Sequence, residues 1–246
     1  MADLLVFDIE TVPDPELVPE PRPDAIPKIP FNRVVLIGAA TLSVQPGASP
    51  SESNRETYRF EGLRVLSGPE PEILAEFWRL AEGTRLVSFN GRHFDLPVLE
   101  ARSLRHGLAL PWYFATGSLR HDPALHLDLL EFLSNGEPRN RARLDDYCKL
   151  VGLPGKMGID GAQVAALFAD QRVEELSAYC ATDVLQTLGL FLRVQRLRGA
   201  CLPAAFPQML RGMRDAIARR VDEHAGLERE RLQAFMLQSE PFWAAI

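Results

Sequence analysis

The hydrophobic pattern of the first ninety residues predicts four strands, with one helix before the last of them. Continuous or alternating apolar positions mark four segments, at residues 4–11, 34–40, 56–60 and 85–89. The first two are apolar enough for a sheet interior, whereas the alternation in the third is typical of an edge strand. A helix is first predicted after Gly68-Pro69, where apolar side chains recur at helical spacing. Three strands therefore precede any helix.

Helical spacing of apolar residues dominates the rest of the chain. It predicts helices at residues 95–107, 144–150, 162–168 and 173–198, with one or two charged amphipathic helices after Pro203. The longest helix carries Asp183 inside an otherwise apolar stripe, with Tyr179 one turn earlier on the same face. Because an unpaired buried carboxylate is costly, we expect Asp183 to have a partner.

Two segments allow more than one interpretation. Prolines recur so densely between residues 13 and 30 that this segment must be an extended loop, either a surface spacer or one wall of a cleft. Arg139, Arg141 and Arg143 belong either to a solvated loop or to a binding patch. A glycine-rich connection over residues 152–161 carries Lys156.

Length and composition indicate a soluble protein with one large domain, or one domain and a helical appendage. The chain has 246 residues, 46% of them hydrophobic, with no apolar run long enough to span a bilayer and no signal-peptide pattern. We therefore expect a cytoplasmic location and no membrane association. Cys148, Cys180 and Cys201 are widely spaced and look like reduced core residues. The net charge of −6 disfavours a protein that coats nucleic acid but allows an enzyme that holds a few nucleotides.

Carboxylates are the candidate chemical groups, and they come from three separate segments. Asp8 and Glu10 project from one face of the first strand because strand side chains alternate. Such a pair either occurs by chance at an exposed strand end, takes up a proton or holds a cation. Asp95 follows the fourth strand at a predicted helix start, and Asp183 lies on the late helix. Convergence of these segments would create a site.

Three segments together resemble the motifs of the 3′-5′ exonuclease superfamily that has four invariant acids. They are Asp8-Ile9-Glu10-Thr11, Asn90-Gly91-Arg92-His93-Phe94-Asp95 and Tyr179-Cys180-Ala181-Thr182-Asp183. One branch of the superfamily has a histidine five positions before the last acid, where this chain has Ala178. The other, DEDDy, branch has a tyrosine four positions before it, as here. Residues 145–149 and 155–161 further resemble stand-alone proteins related to the proofreading domain of family B DNA polymerases.

The resemblance implies a ribonuclease H-like α/β fold for an exonuclease domain over residues 1–200. Its sheet would be five-stranded and mixed, with the first three strands antiparallel and helices on both faces. The apolar pattern locates four strands, and we expect the fifth between Leu119 and Leu130. Asp128 in that stretch is either a further acid near the site or a cap. Residues 201–246 are expected to form a helical C-terminal extension packed on the domain.

The resemblance also implies a function, a metal-dependent 3′-5′ exonuclease that releases 5′-mononucleotides from single-stranded ends, with DNA favoured over RNA. Two divalent cations, magnesium or manganese, would be held by the four acids, which are Asp8, Glu10, Asp95 and Asp183. Tyr179 would position the attacking water. We also expect four residues to contact the substrate: Thr11, Asn90 and Phe94 near the terminal nucleotide, and Lys156 at a phosphate.

Two alternatives stay open, an exoribonuclease and a catalytically inactive module that binds nucleic acid. The 2′-hydroxyl group is read by local shape, so the sequence does not decide between DNA and RNA. No protein partner is evident from the sequence.

Overall fold

One mixed sheet organises the fold in the computed structural model, which describes residues 3–18, 27–47, 52, 54–115, 122, 124–159 and 161–244. The strands are β1 (Leu4–Pro13), β2 (Asn32–Pro46), β3 (Glu56–Ser67), β4 (Arg85–Ser88) and β5 (His126–Asp128). Their order across the sheet is β3-β2-β1-β4-β5. The first three are antiparallel neighbours, and β4 and β5 run parallel to β1. The predicted five-stranded mixed sheet is confirmed.

Helices surround this sheet. In the described part of the chain they are α1 (Glu70–Ala81), α2 (Asp95–Arg105), α3 (Pro111–Ala115), α4 (Leu129–Ser134), α5 (Leu144–Val151), α6 (Val164–Ala169), α7 (Val173–Leu197), α8 (Phe206–Glu223), α9 (Gly226–Gln238) and α10 (Glu240–Trp243). None of the helices found there is long and apolar enough to cross a membrane. The predicted order of strands and helices is confirmed, although the sequence did not predict α3, α4 and α10, which are only five, six and four residues long.

Strand lengths are where the prediction was wrong. β2 extends to Pro46 and β3 to Ser67, so the two form a long hairpin instead of two short strands. The prediction ended β3 at Phe60, but backbone pairing with β2 continues past Glu61 and Gly62, where the apolar alternation is interrupted. The fifth strand does lie in its predicted stretch, at residues 126–128. Part of that stretch, like residues 19–26 of the proline-rich loop, lies outside the described residues.

The central strand β1 is buried on both faces because its alternating side chains meet two different sets of helices. Leu5, Phe7 and Ile9 pack in a cluster with side chains of α1 and α2. Leu4 and Val6, on the other face, pack in a cluster with α7. Asp8 and Glu10 continue this second row, so their side chains project towards α7 and not into open solvent.

The C-terminal helices share the α7 side of the core. α8 contacts β3, and α9 contacts α7 and α8. Apolar side chains of this region belong to the same cluster as α7, among them Leu210, Phe235 and Trp243. The division into a domain over 1–200 and an extension over 201–246 stays a prediction.

A buried arginine ties the end of β1 to α1 and α2. Arg102 donates hydrogen bonds to Glu70 through Nε and Nη2, at 2.7 and 2.6 Å, and to Asp14 through Nη1 at 2.7 Å. Its side chain is only 2% exposed. Glu70 also accepts a hydrogen bond from the backbone amide of Val34 in β2, at 2.8 Å. The network fixes the point where the chain leaves β1 and re-enters as β2.

Replacing Arg102 with methionine should lower the free energy of unfolding by about 3–5 kcal/mol, because two buried carboxylates would lose their counter-ion. Urea unfolding followed by circular dichroism measures the difference. Arg105→Met is the matched control, since the Arg105 side chain is 32% exposed and also faces Asp14. The control should change stability by less than about 1 kcal/mol. Equal losses of unfolding free energy in the two variants would contradict the role of Arg102 as the main counter-ion of the two carboxylates.

Candidate metal centre

Asp8 and Glu10 supply the fixed half of the site. Glu10 is 6% exposed and Asp8 is half-buried, so the interpretation as an exposed strand end is wrong. Within the described residues, no hydrogen-bond donor neutralises either carboxylate. Burial raises the pKa of both groups well above the ordinary range, and the neighbouring acids raise it further. A buried and a half-buried carboxylate side by side, without donors, need a cation or a proton.

A tight turn after β4 brings Asp95 against β1. Asn90 has a left-handed backbone with φ of 68°, and Gly91 has no room for a side chain because a Cβ would lie 2.3 Å from Ser88 Oγ. Asp95 is the first residue of α2, as predicted, and is 5% exposed. The backbone amide of Ile9, between the two acids of β1, lowers the pKa of the Asp95 carboxylate against the larger effect of burial. Burial raises the pKa of Asp95 to about 7.

Asp128 holds this turn in place from the neighbouring strand. Its carboxylate accepts hydrogen bonds from the backbone amides of Asn90, at 3.0 Å, and Arg92, at 2.9 Å. It also caps α4 through the amides of Leu130 and Glu131, at 3.0 and 3.2 Å. The interpretation of Asp128 as a cap is therefore confirmed. Four backbone donors occupy this carboxylate, which makes it a support for the site and a weak candidate for a metal ligand.

α7 brings Asp183 and Tyr179 to the two acids of β1. The Tyr179 hydroxyl lies close enough to the Asp183 carboxylate to lower its pKa as a donor, so the predicted partner of this acid is its neighbour on the helix. Gln186 Nε2 also donates to Asp183, at 3.3 Å. Burial raises the pKa of Asp183 to about 6 even so. Burial and the nearby acids also raise the pKa of Tyr179, so its hydroxyl stays protonated.

The four acids from three segments lie close enough to affect one another. After burial, the charges of Asp95, Glu10 and Asp183 are the further causes that raise the pKa of Asp8. Such a group of buried carboxylates repels itself unless positive charge is added. Oxygen ligands suit a hard divalent cation such as Mg²⁺ or Mn²⁺. The structure thus places all four predicted acids and Tyr179 within electrostatic range of one another, and Asp8 and Glu10 are the two whose carboxylate oxygens lie within the 4.8 Å that a shared metal ion requires.

Cys180 is a member of the centre that the sequence interpretation missed. It is a free, buried thiol, as predicted, but its Sγ and oxygens of Asp8 and Glu10 all lie within 4.8 Å of one another. Gly38 of β2 makes this possible, because a Cβ there would lie 2.9 Å from Cys180 Sγ and 2.6 Å from Val184 Cγ2. A glycine inside the apolar run of β2 was the available signal for this close approach.

The four residues expected at the substrate lie around the acids with separate roles in the fold. Thr11 Oγ1 donates to Asn32 Oδ1 at 3.4 Å, just past an irregularity in the pairing of β1 and β2. Asn90 shapes the turn described above, and Phe94 precedes α2 and packs on the cluster of α1 and α2. Lys156 is exposed, and its charge lowers the pKa of Asp183 against the larger effect of burial. Their substrate contacts stay predictions.

Arg231 in α9 is a second residue that the sequence interpretation missed. Its guanidinium carbon lies 5.4 Å from the centre of the Tyr179 ring. In the sequence it is one of several arginines on a charged amphipathic helix, and nothing in the pattern distinguishes it from its exposed neighbour Arg229.

This fold and its buried carboxylate centre define a nuclease-like α/β domain. The chain belongs to the family described as predicted 3′-5′ exonucleases related to the exonuclease domain of PolB, whose model matches residues 26–238. The match includes α8 and α9 and the strands β2 to β5, and it begins after β1, the strand that carries Asp8 and Glu10.

Similarity to known proteins agrees with this family. The chain is 27% identical to DNA polymerase 1 of Saccharolobus solfataricus over 172 residues, 66% of this chain and 20% of that protein. It is 24% identical to DNA polymerase 1 of Sulfolobus acidocaldarius over 193 residues, 75% of this chain and 22% of that protein. The chain therefore spans about a fifth of the length of these relatives.

A solved structure shows the same fold. The family B DNA polymerase from Pyrobaculum calidifontis matches with a TM-score of 0.55 and 16% identity, over 89% of this chain and 29% of that chain. The predicted ribonuclease H-like fold is confirmed.

Replacing Asp8 with asparagine should stabilise the metal-free protein, by about 1 kcal/mol or more, because one charge leaves a group of mutually repelling carboxylates. Thermal unfolding in a chelator measures this gain. Added Mn²⁺ should stabilise the wild type more than the variant, since a ligand that binds the folded state raises its stability. Asp215→Asn, at an exposed aspartate of α8, is the control and should change neither value. If metal-free Asp8→Asn were less stable than the metal-free wild type, the inferred repulsion among the carboxylates would be contradicted.

Proposed function

We propose that this protein is a metal-dependent 3′-5′ exonuclease that hydrolyses phosphodiester bonds at single-stranded ends and releases 5′-mononucleotides. The observation that carries the proposal is the convergence of Asp8, Glu10, Asp95 and Asp183 beside the Tyr179 hydroxyl. Family membership supports it, because the family is described by this activity.

The four acids are proposed as the ligands of two divalent cations, Mg²⁺ or Mn²⁺. Asp8, Glu10 and Asp183 would hold one cation, with Asp8 shared and Asp95 at the second, directly or through water. When bound, the cations supply an activated water and neutralise charge on the phosphate. The raised pKa of the acids fits this role, because unfilled ligands of a cation site repel one another.

Tyr179 is proposed to orient the attacking water. A protonated hydroxyl can donate one hydrogen bond and accept another, whereas a tyrosinate would be needed for a general base. Burial and the adjacent acids hold the pKa of Tyr179 above its ordinary value, so the residue is suited to positioning and not to taking a proton.

DNA is the favoured substrate because the relatives of known function are DNA polymerases. Thr11, Asn90 and Phe94 are proposed to contact the terminal nucleotide, and Lys156 a phosphate. We also propose a cytoplasmic protein whose exonuclease domain spans residues 1–200. An inactive binding module is disfavoured because all four acids and the tyrosine are present and lie together.

Asp8→Ala and Asp183→Ala should each lower the hydrolysis rate by about 10²–10³-fold or more, because each removes a proposed ligand of the cations that would activate the water and neutralise the phosphate. Tyr179→Phe keeps every carboxylate and should cost about ten- to a hundred-fold. A 5′-labelled single-stranded oligonucleotide with Mn²⁺, sampled over time, measures the rates and shows the direction of shortening. Asp215→Ala is the control and should keep the wild-type rate. Full activity in Asp8→Ala or Asp183→Ala would overturn the site assignment.

Matched DNA and RNA oligonucleotides of one sequence test the substrate. We expect faster release of 5′-mononucleotides from the DNA, with the ratio measured under single-turnover conditions. Faster hydrolysis of the RNA would instead make the protein an exoribonuclease. Binding of either strand without hydrolysis, at saturating Mn²⁺, would identify the inactive binding module and refute the enzyme.

A further inference from the structure

Arg231 is the residue of α9 that enters the site. The helix is held to the core by Leu232 and Phe235, which are both buried. Arg231 precedes Leu232 and is half-buried, whereas Arg229 on the same helix is exposed. Anchoring of α9 therefore does not require the Arg231 guanidinium, and its contacts need a separate explanation.

The contacts of Arg231 join three parts of the chain. Nη2 donates to the backbone carbonyl of Met157 at 2.9 Å, and Nε donates to Thr182 Oγ1 at 3.3 Å. Thr182 Oγ1 in turn donates to the backbone carbonyl of Tyr179 at 2.8 Å. The guanidinium also lies 5.4 Å from the centre of the Tyr179 ring, within the range of a cation–π contact. One planar group thus connects α9, the loop that carries Lys156, and the turn of α7 that carries the tyrosine.

The positive charge of Arg231 also acts on Asp183, one of the proposed metal ligands. Burial lowers the pKa of this arginine, and the Asp183 carboxylate acts against that effect. A positive charge near Asp183 repels an incoming divalent cation, so Arg231 opposes metal binding electrostatically. An apolar side chain would pack against Tyr179 without this repulsion. A positively charged guanidinium at this position therefore indicates that Arg231 has a role beyond packing.

We propose that Arg231 is a positioning residue, which holds the Tyr179 ring and the loop at Met157 in the arrangement needed for hydrolysis, at some cost in metal affinity. This inference rests on the proposed function. The C-terminal helices would then complete the active site of the domain. Arginine suits the role because its planar fork donates in two directions while its face stacks on a ring, which lysine does not reproduce.

Arg231→Met should lower kcat by about ten- to a hundred-fold, with KM for the oligonucleotide little changed. Mn²⁺ binding, measured by calorimetry, should be as tight as in the wild type or tighter, because a repelling charge is gone. Arg231→Lys should keep the wild-type Mn²⁺ affinity but recover little of kcat. Arg229→Met, the same change at the exposed arginine of α9, should stay within about two-fold of the wild type in kcat and in Mn²⁺ affinity.

A double-mutant cycle with Tyr179→Phe shows whether Arg231 acts through the tyrosine. The two losses in kcat should be non-additive, because residues that act as a unit are coupled. Additive losses, a kcat within two-fold of the wild type in Arg231→Met, or a joint fall of kcat, Mn²⁺ affinity and Tm would overturn the inference. A wild type that binds Mn²⁺ but releases no nucleotides would refute the proposed function alone. Weaker Mn²⁺ binding in Arg231→Met would in that case still refute the inference.

Discussion

Mutual repulsion among buried carboxylates is the constraint on which this structure depends. Asp8 and Glu10 lie on the central strand, in a position that a soluble fold would ordinarily fill with apolar side chains. α7 covers them and adds a third acid, and α2 begins with a fourth. Each acid makes the burial of the others less favourable, so the surrounding elements must be held by contacts that do not involve the charged oxygens.

Those contacts come from neutral groups and from charges placed elsewhere. Gly38 lets α7 approach the sheet, and Gly91 with the left-handed Asn90 lets the chain turn sharply before Asp95. Asp128 is a buried acid too, but backbone amides satisfy it and it thereby holds the turn. Arg102 forms ion pairs with Asp14, just after β1, and with Glu70 at the start of α1. The fold thus satisfies its structural acids with donors, whereas among the acids of the centre only Asp183 has positive charges nearby, those of Arg231 and Lys156.

Much of this could be predicted from local patterns. The two-residue period of a strand puts Asp8 and Glu10 on one face, and the helical period puts Tyr179 and Asp183 on another. Both pairs are found where those periods place them. β5 has only three residues, too few for a period to be visible, and the length of β3 depends on pairing with β2 and not on its own alternation. Patterns within a segment could not reveal Cys180 or Arg231, whose roles depend on which segment packs against them.

Arg231 also changes how the C-terminal helices are understood. By composition they are charged amphipathic helices, which predicts packing or contact with a partner and no catalytic role. In the structure α9 packs on α7, and Arg231 donates a hydrogen bond to the backbone carbonyl of Met157, so a segment from the end of the chain contacts the loop beside the site. In the proposed site the carboxylates would specify where cations bind, but not where a water or a phosphate is held. That second requirement would depend on Tyr179, and the proposed role of Arg231 makes the orientation of Tyr179 depend on what packs on its ring. If Arg231 has that role, the proposed domain boundary at residue 200 separates the proposed metal ligands from a group that orders the residue beside them, and the active unit extends through α9.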